Sequence, residues 1–289
     1  MSVERMLVNG VAAPAGRIVA AGELGHIATS EDGGATWRAA RVMPQRGVTL
    51  TQMSFVDDKN GFAVGHDRWV LKTADGGERW REVHYDPKRS EPFLGVWARS
   101  AASVYAVGAF GTLRISDDGG RTWTVPETTL GDNHIYAIAG GQDSRMLCVG
   151  EQGLVARSED AGKTWTLLPK FYKGSLFGLL RISTDEWIAY GMRGSIYVTR
   201  DGGWTWTARR SDTVSSLFGG SRLADGRIVL VGQGGTVLIS KDRGERFTLT
   251  EPAGGRSLAA VVAGRDGALI FGGEGGVTIP KPAVPGQLR

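Results

Sequence analysis

Six copies of one eight-residue phrase run through this chain. The shared pattern is Ser/Thr-x-Asp-x-Gly-x-x-Trp/Phe, and the central aspartates of successive copies are 43, 43, 42, 41 and 41 residues apart. These aspartates are Asp32, Asp75, Asp118, Asp160, Asp201 and Asp242. A period of about 40 residues, with strand-forming residues between the repeats, is typical of a β-propeller in which each repeat builds one blade.

Each residue type in the phrase has a mechanical role. The carboxylate can accept backbone N–H groups that follow it and close a turn, and the short Ser/Thr can bond within the same turn. The glycine two places after the aspartate allows a positive φ without steric cost. The aromatic ring starts the next strand and can pack between blades. We therefore predict that every copy is a hairpin between the third and fourth strands of a blade (strands C and D, counted from the centre), and that the six aspartates are structural.

A second repeat gives the number of blades. A Gly-x-x-Gly turn precedes each phrase, and a further copy follows the last phrase. The turns are Gly22–Gly25, Gly108–Gly111, Gly150–Gly153, Gly191–Gly194, Gly232–Gly235 and Gly273–Gly276, while Gly65–Arg68 keeps only the first glycine. Seven turns predict an all-β, seven-bladed propeller of four-stranded antiparallel blades. We assign residues 1–280 to this single domain and 281–289 to a Pro-rich C-terminal tail.

Closure of the ring is the open point, because blade seven has no phrase to supply its outer strand. Residues Ser2 to Met6 could supply that strand by pairing with the last blade; otherwise blade seven is three-stranded.

The net charge, the cysteine count and the hydrophobicity of the chain exclude several classes of function. The formal net charge of +4 is mild, and no DNA- or RNA-recognition motif is present, so a nucleic-acid partner is not expected. One cysteine, Cys148, excludes an internal disulfide. No apolar run reaches transmembrane length. The poor signal sequence at the N-terminus predicts a cytoplasmic protein, or a periplasmic or lumenal one if a signal peptide has been removed. We also expect a monomer.

The loops of one face carry the candidate binding residues. In a propeller, the B–C turns and D–A loops share one face, which we call the top, and these loops are rich in histidine, arginine and aromatic residues. Arginine and aromatic residues are enriched at interaction hot spots. The candidates are His26, His66, Arg68, Trp69, Tyr85, Phe110, His134, Tyr172, Arg193 and Arg210. The four histidines of the chain lack metal-ligand spacing, so neither a metal nor a cofactor is expected.

Three arginines form a second candidate set. Arg99, Arg181 and Arg222 each lie five residues past a leucine that aligns with the start of an innermost strand, at Leu94, Leu176 and Leu217. One interpretation is structural, with each guanidinium bonded to turn carbonyls or to a nearby carboxylate. The other is a positive ring near the central channel that could hold a ligand carboxylate.

The repeat unit, over the whole chain, resembles that of the photosystem II stability/assembly factor-like propellers, whose Asp-box is also called the BNR repeat. Blade two shows the likeness in the stretch from Phe55 to Gly65 followed by Thr73 to Trp80. The resemblance implies a non-enzymatic scaffold or assembly factor that binds a protein partner such as a membrane-protein subunit. It also implies a role for surface arginines.

Two rival functions share the same fold. Sialidase-like glycosidases also carry Asp-boxes, but the Arg-Ile-Pro motif of that class is missing, and Gly16-Arg17-Ile18-Val19 is the nearest string. Glu23, Glu151 and Glu274 lie in equivalent top turns, which repetition explains more simply than catalysis. A carbohydrate-binding propeller is the third class, with Trp69 and Tyr172 in one pocket as its distinguishing sign. A partner-binding, non-catalytic propeller is the function that we predict.

Overall fold

The computed structural model describes residues 3–250 and 255–280 and confirms the seven-bladed β-propeller. Apart from one added strand at the outer edge of blade 2, each blade is an antiparallel sheet whose strands follow one another from the inside outwards, because hairpin turns join each strand to its neighbour. Blades 1, 4, 5 and 6 have the predicted four strands. The chain then crosses the top face and starts the next blade at the centre.

The strands alternate with short turns along the chain. In blade 1 they are β1 (Val8–Ala12), β2 (Ile18–Gly22), β3 (Ile27–Ser30) and β4 (Arg38–Ala39); in blade 2, β5 (Arg41–Met43), β6 (Leu50–Phe55), β7 (Gly61–Gly65), β8 (Val70–Thr73) and β9 (Arg79–His84); in blade 3, β10 (Phe93–Ala98), β11 (Val104–Gly108) and β12 (Leu113–Ser116). Blade 4 has β13 (Ile135–Gly140), β14 (Met146–Gly150), β15 (Val155–Ser158) and β16 (Thr166–Leu167); blade 5, β17 (Leu176–Arg181), β18 (Trp187–Gly191), β19 (Ile196–Thr199) and β20 (Thr207–Arg209); blade 6, β21 (Leu217–Arg222), β22 (Ile228–Gly232), β23 (Val237–Ser240) and β24 (Thr248–Thr250); blade 7, β25 (Leu258–Ala263), β26 (Leu269–Gly273) and β27 (Gly276–Thr278).

The helical segments are single 3₁₀ turns. They are Val3–Arg5, Pro14–Gly16, Glu23–Gly25, His66–Arg68, Glu151–Gly153, Met192–Gly194 and Gln233–Gly235. The last five are B–C turns at the top of their blades, so the Gly-x-x-Gly repeat forms a tight turn as expected. Among the described residues, no helix has the length and apolarity to cross a membrane.

The repeated phrase forms the predicted hairpin, as blade 3 illustrates. Asp118 accepts hydrogen bonds from the Ser116 hydroxyl at 2.9 Å and from the Thr122 N–H at 2.9 Å. The Ser116 hydroxyl in turn accepts the N–H of Gly120, whose φ is +89°. The Trp123 indole N–H donates to the carbonyl of Gly120. This bonding, repeated from blade to blade, confirms that the box aspartates hold hairpins together.

The core consists of seven clusters, one at each interface between neighbouring blades. Between blades 1 and 2, for example, Trp69 and Trp80 pack with Leu71 and Val19. Cys148 is buried in the cluster between blades 3 and 4, and burial raises the pKa of its thiol to about 12. Stability is therefore distributed around the ring.

Blades 2 and 3 depart from the four-stranded pattern. After blade 1 the chain adds β5 to the outer edge of blade 2 in a parallel pairing, which makes that sheet five-stranded. Blade 3 has three strands, and its outer segment contributes one isolated bridge between Ile115 and Thr124. Beyond Thr124 the chain leaves β12 and pairs once with blade 4, at Thr164.

Of the two closures that the sequence left open, the described residues show the three-stranded blade 7 and no strand at Val3–Met6. Val3–Arg5 forms a 3₁₀ turn that packs against β27, and blade 7 has three strands. Met6 is buried in the cluster between blades 7 and 1 together with Val8 and Val11. Side-chain packing therefore closes the ring in place of a shared sheet. Ser2 and the predicted tail at 281–289 lie outside the described residues.

The innermost strand of every blade carries a β-bulge near its start. In blade 2, Leu50 pairs with Gly65 while Gln52 pairs with Val64, so Thr51 is the extra residue. The same shift occurs in the other six blades. A bulge bends its strand and redirects the extra side chain. The bulged residues are Asn9, Thr51, Leu94, Tyr136, Phe177, Phe218 and Ala259.

Candidate functional site

The third residue of each Gly-x-x-Gly turn forms part of the rim of the top face. In the first five blades it has a left-handed backbone, with φ between +52° and +56°. These residues are Leu24, Asp67, Phe110, Gln152 and Arg193, and Gly234 takes this place in blade 6. Such a conformation costs a side-chain-bearing residue about 1–2 kcal/mol. Residues held in this conformation often serve binding, and both Leu24 and Phe110 are well exposed.

An unbroken row of rings lies beside this rim, which we call the aromatic crescent: Phe110, His134, Tyr136, Phe177 and Phe218. Successive ring centroids are 4.9, 6.3, 5.2 and 5.8 Å apart. Most of these contacts are edge-to-face, the geometry in which aromatic pairs attract. The crescent therefore crosses four successive blades as one surface.

The crescent remains open to solvent. Phe110 is 63% exposed and Phe218 is 39% exposed, while His134, Tyr136 and Phe177 are half-buried. The N–H of Phe110 donates to Nδ1 of His134 at 3.1 Å, which fixes the turn of blade 3 against the start of blade 4. Exposed apolar rings held in place by a neighbouring blade are available to a partner without rearrangement.

The crescent is built mainly on the bulges. Tyr136, Phe177 and Phe218 are the bulged residues of blades 4, 5 and 6, and their counterparts in blades 1, 2 and 7 are Asn9, Thr51 and Ala259. One side of the channel mouth is thus aromatic and the other is small or polar. Sequence reasoning predicted Phe110 and His134 but missed the other three rings, because a bulge leaves no mark in strand alternation. Aromatic residues at one aligned position in three consecutive repeats were the available signal.

Arg68 occupies an unusual place in the turn of blade 2. It has a φ of +52° where the other turns have glycine. Its side chain is mostly buried and lies 3.7 Å from the carboxylate of Glu91, and Nε of Arg68 has no hydrogen-bond partner among the described residues. Burial, and then the charges of Arg68 and Arg89, lower the pKa of Arg114 nearby. Arg68 is thus part of a basic cluster between blades 2 and 3.

Tyr85 lies in a second cluster on the top face. The Arg46 guanidinium stacks 4.3 Å above its ring, and its hydroxyl is 3.5 Å from the Asp67 carboxylate. Burial lowers the pKa of His84, which precedes it.

Trp69 is a correction to the predicted surface. Its side chain is fully buried between blades 1 and 2, where the indole N–H donates to Glu82 at 2.7 Å. It therefore cannot contact a partner, and it does not share a pocket with Tyr172. Tyr172 packs against Tyr197 and donates its hydroxyl to the carbonyl of Met192. The pocket expected of a carbohydrate-binding propeller is absent at this pair.

The remaining predicted residues do not form one site. Arg193 is exposed at the apex of its turn, and its N–H is 3.4 Å from the Ser216 hydroxyl, two residues before Phe218. Arg210 is highly exposed and pairs with Asp212. His26 and His66 stand in the turns of blades 1 and 2, half-buried and exposed respectively. Of the predicted top-face residues, the structure joins Phe110 to His134 and leaves Arg193 beside the far end of the crescent.

The three-arginine set is not one register. β10 begins at Phe93 and ends at Ala98, so Arg99 lies one residue beyond the position that Arg181 and Arg222 hold in their strands. Each arginine braces an A–B turn of a neighbouring blade. Arg99 donates to the Gln142 carbonyl, Arg181 pairs with Asp143, and Arg222 donates to the Ile182 carbonyl. The structural interpretation of the set is therefore the one that the contacts favour.

The repeated glutamates have a structural role. Carboxylate oxygens of Glu23, Glu151 and Glu274 accept backbone N–H groups just before the innermost strands, at Leu7, His134 and Ser257. Arg17, in the string nearest to the sialidase motif, bridges blade 1 to Glu78 of blade 2. In the described part of the chain, no group of three His, Cys, Asp or Glu side chains is placed to hold a metal ion.

Fold and site together define a seven-bladed Asp-box propeller that has the solvent-exposed aromatic crescent on its top face. The sequence model of the family described as Photosynthesis system II assembly factor YCF48 matches residues 92–277, nearly two thirds of the chain. The chain belongs to this family, as the repeat unit indicated. No curated protein matches the chain in sequence at a significant level.

Solved structures share the fold at low sequence identity. YCF48 bound to a D1 peptide is 16% identical, with a TM-score of 0.75 over 95% of this chain and 92% of that one. YCF48 from Cyanidioschyzon merolae is also 16% identical, with a TM-score of 0.73 over 95% and 94%. The WD40 propeller domain of Doa1 is 12% identical, with a TM-score of 0.75 over 96% and 93%.

Proposed function

We propose that this protein is a non-catalytic scaffold that binds a segment of a partner protein across the top of the channel. The observation that carries the proposal is the aromatic crescent, an exposed apolar surface with Arg193 beside its end. Exposed aromatic anchors with a polar rim are typical of binding hot spots. Membership of the YCF48 family, one member of which was solved with a D1 peptide, supports a peptide segment as the ligand. A membrane-protein subunit is the partner class that we propose.

A glycosidase role has less support. The three glutamates in equivalent turns are engaged in capping backbone N–H groups. Sialidases use a tyrosine nucleophile, and Tyr190 of this chain is buried, with its pKa raised by burial. A glycosidase needs two carboxyl groups that flank an open sugar site about 5–10 Å apart.

Phe110→Gly tests the binding proposal without harming the fold. Glycine accepts the positive φ of this turn at no cost, so the variant should be as stable as the wild type or about 1 kcal/mol more stable. Loss of an anchoring ring should weaken partner binding at least tenfold, or by about 1.4 kcal/mol. The partner is first captured from native lysate with solubilised membranes and identified by mass spectrometry, and its affinity is then measured with purified proteins.

Leu24→Gly is the matched control. Leu24 is 56% exposed and has the same left-handed backbone in the turn of blade 1, away from the crescent. Leu24→Gly should have the same stability as Phe110→Gly, and its affinity for the partner should equal that of the wild type. Equal affinity of Phe110→Gly and Leu24→Gly for the captured partner would rule out the crescent as the binding surface.

A further inference from the structure

The outer part of blade 2 has an uncovered sheet face. Blade 2 extends to five strands with β5, whereas its neighbour blade 3 has no regular fourth strand to pack against it. The mismatch leaves a groove of about 990 Å³ at the outer edge, beside the Asp-boxes and away from the top face. Its size is at the upper end of ligand pockets, which suits a short chain segment better than a single ion.

Side chains alternate between the two faces of a strand, and this alternation determines which residues lie on the uncovered face. Val42 and Trp80 pack towards blade 1, so their neighbours Arg41, Arg79 and Arg81 point to the side of blade 3. Lys72 lies on the same side, where its ammonium donates to the Ala101 carbonyl of blade 3. Arg121 lines the groove from the opposite wall. We call Arg41, Lys72, Arg79, Arg81 and Arg121 the basic groove.

The cations of the basic groove are directly opposite one another. Arg41 pairs with Arg79 in the parallel ladder, and Lys72 pairs with Arg81 in the antiparallel one. Like charges in such cross-strand pairs destabilise a sheet. Burial, and then the charge of Arg121, lower the pKa of Lys72. The repulsion would be relieved by an anion bound between them.

The described carboxylates offset the charge of the basic groove only in part, since the charge of Asp118 raises the pKa of Lys72 but is outweighed by burial and Arg121. None of the five cations forms an ion pair with a described carboxylate, although the described residues make fifteen such contacts elsewhere. The two carboxylates that line the groove are engaged. Asp75 accepts the Thr73 hydroxyl and the N–H of Arg79, and Glu82 accepts Arg46 and the Trp69 indole.

We propose that the basic groove binds an extended acidic segment of a protein, with carboxylates at alternate positions. Arg79 and Arg81 project from the same face of β9 and are about 7 Å apart along the strand, since each residue rises about 3.3 Å. An extended ligand presents alternate side chains at the same spacing. The charge complementarity selects acidic side chains, and the strand geometry selects their order. This site goes beyond the top-face binding proposed above and is independent of it.

The test uses a dye-labelled peptide of alternating glutamate and serine, with binding followed by fluorescence polarisation. The wild type should bind this peptide, and the double variant R79Q/R81Q should bind it about tenfold more weakly, because two charge-assisted contacts are lost. The same peptide with glutamine in place of glutamate should not bind. Affinity should fall steeply as salt shortens the screening length from about 10 Å to about 3 Å.

The matched control is R38Q/R246Q, which removes the same net charge from exposed positions outside the groove. It should keep affinity within about twofold. Thermal melting checks folding, and R79Q/R81Q should melt at the same or a higher temperature because like-charge repulsion is reduced. Phe110→Gly should leave the peptide affinity unchanged.

Several results would overturn the proposal. Absence of binding to the glutamate–serine peptide is one. Equal loss of peptide affinity in R79Q/R81Q and R38Q/R246Q is another, since it would mean that the net charge of the protein, and not the groove, attracts the peptide. A peptide of the same composition with its glutamates in one block should bind less well; equal affinity would contradict the spacing argument. Tighter, groove-dependent binding of vesicles with anionic lipid would assign the surface to a membrane instead.

Discussion

At the scale of single residues, the box aspartates show how an exposed carboxylate can be held ionised. Asp32 accepts the Thr36 hydroxyl, the Thr36 N–H and the Ser30 hydroxyl. These bonds, with the Thr36 hydroxyl first, lower its pKa to about 2. Bonds of the same kind, from a threonine four residues on, lower the pKa of Asp118, Asp160 and Asp201. In the sixth box the N–H of Arg246 and the Ser240 hydroxyl lower the pKa of Asp242.

This bonding predicts an acid-sensitive fold. Because the folded pKa of Asp32 is about 2 and an unfolded aspartate titrates near about 3.9, the unfolded chain binds more protons between these values. The stabilisation is complete above about pH 4 and is lost as the pH falls towards about 2. Urea unfolding at a series of pH values should show this loss. In Asp32→Asn, the free energy of unfolding should change less steeply with pH. A stability that is constant between pH 4 and pH 2 would contradict the prediction.

Single residues also mark where sequence reasoning succeeds and fails. The bonding of Asp118 follows from the phrase alone, because every partner is within four residues. Trp69 was expected on the surface, but its burial depends on Glu82 and on packing against blade 1, both of which are long-range facts. The rings of Tyr136 and Phe177 meet only because bulges in two separate blades redirect them.

At the scale of elements, the fourth strand is the variable part of a blade. The inner three strands occur in all seven blades, because each is fixed by a tight turn and a buried run. The fourth segment is a pair of exposed residues in blades 1 and 4 and a single bridge in blade 3, whereas in blade 2 it is the six-residue strand β9. Sequence predicts the boxes that precede these segments but not how far pairing continues after them. The one-residue error at Arg99 has a similar origin, since Phe93 and Leu94 are equally suitable strand starters.

Exchange of backbone amide hydrogens with solvent should differ between a paired and a largely unpaired outer segment. Residues 124–126 of blade 3 share one bridge with β12, whereas β20 of blade 5 pairs with β19 at three positions. Amides held by few neighbouring bonds open more often. Pro126 has no amide hydrogen, and the Thr124 N–H donates to the Ile115 carbonyl. Hydrogen exchange followed by NMR should therefore show the Val125 amide exchanging at least about tenfold faster than the hydrogen-bonded amides of Thr207–Arg209. Equal protection would mean that blade 3 has a full fourth strand in solution.

At the scale of the whole molecule, stability depends on seven equivalent interfaces, including the one that closes the ring. Met6 is 3% exposed in the cluster between blades 7 and 1, and its neighbour Leu7 is 37% exposed. Met6→Ala should reduce the free energy of unfolding by about 2–5 kcal/mol, because a buried side chain is removed. Leu7→Ala, the control, should stay within about 0.5 kcal/mol. Equal effects in urea unfolding would indicate that the closing interface is loose.

In the part of the chain that the structure describes, blades 7 and 1 meet through packed side chains, and no strand pairs across the seam. The other six junctions are also packed through side chains, so we expect a circularly permuted chain that starts at another blade to form the same ring. On this expectation, the blade at which the chain begins does not determine the shape of the ring. The sides of the ring differ through substitutions at symmetry-related positions. Blades 4 to 6 have phenylalanine or tyrosine at their bulges, and the basic groove lies between blades 2 and 3.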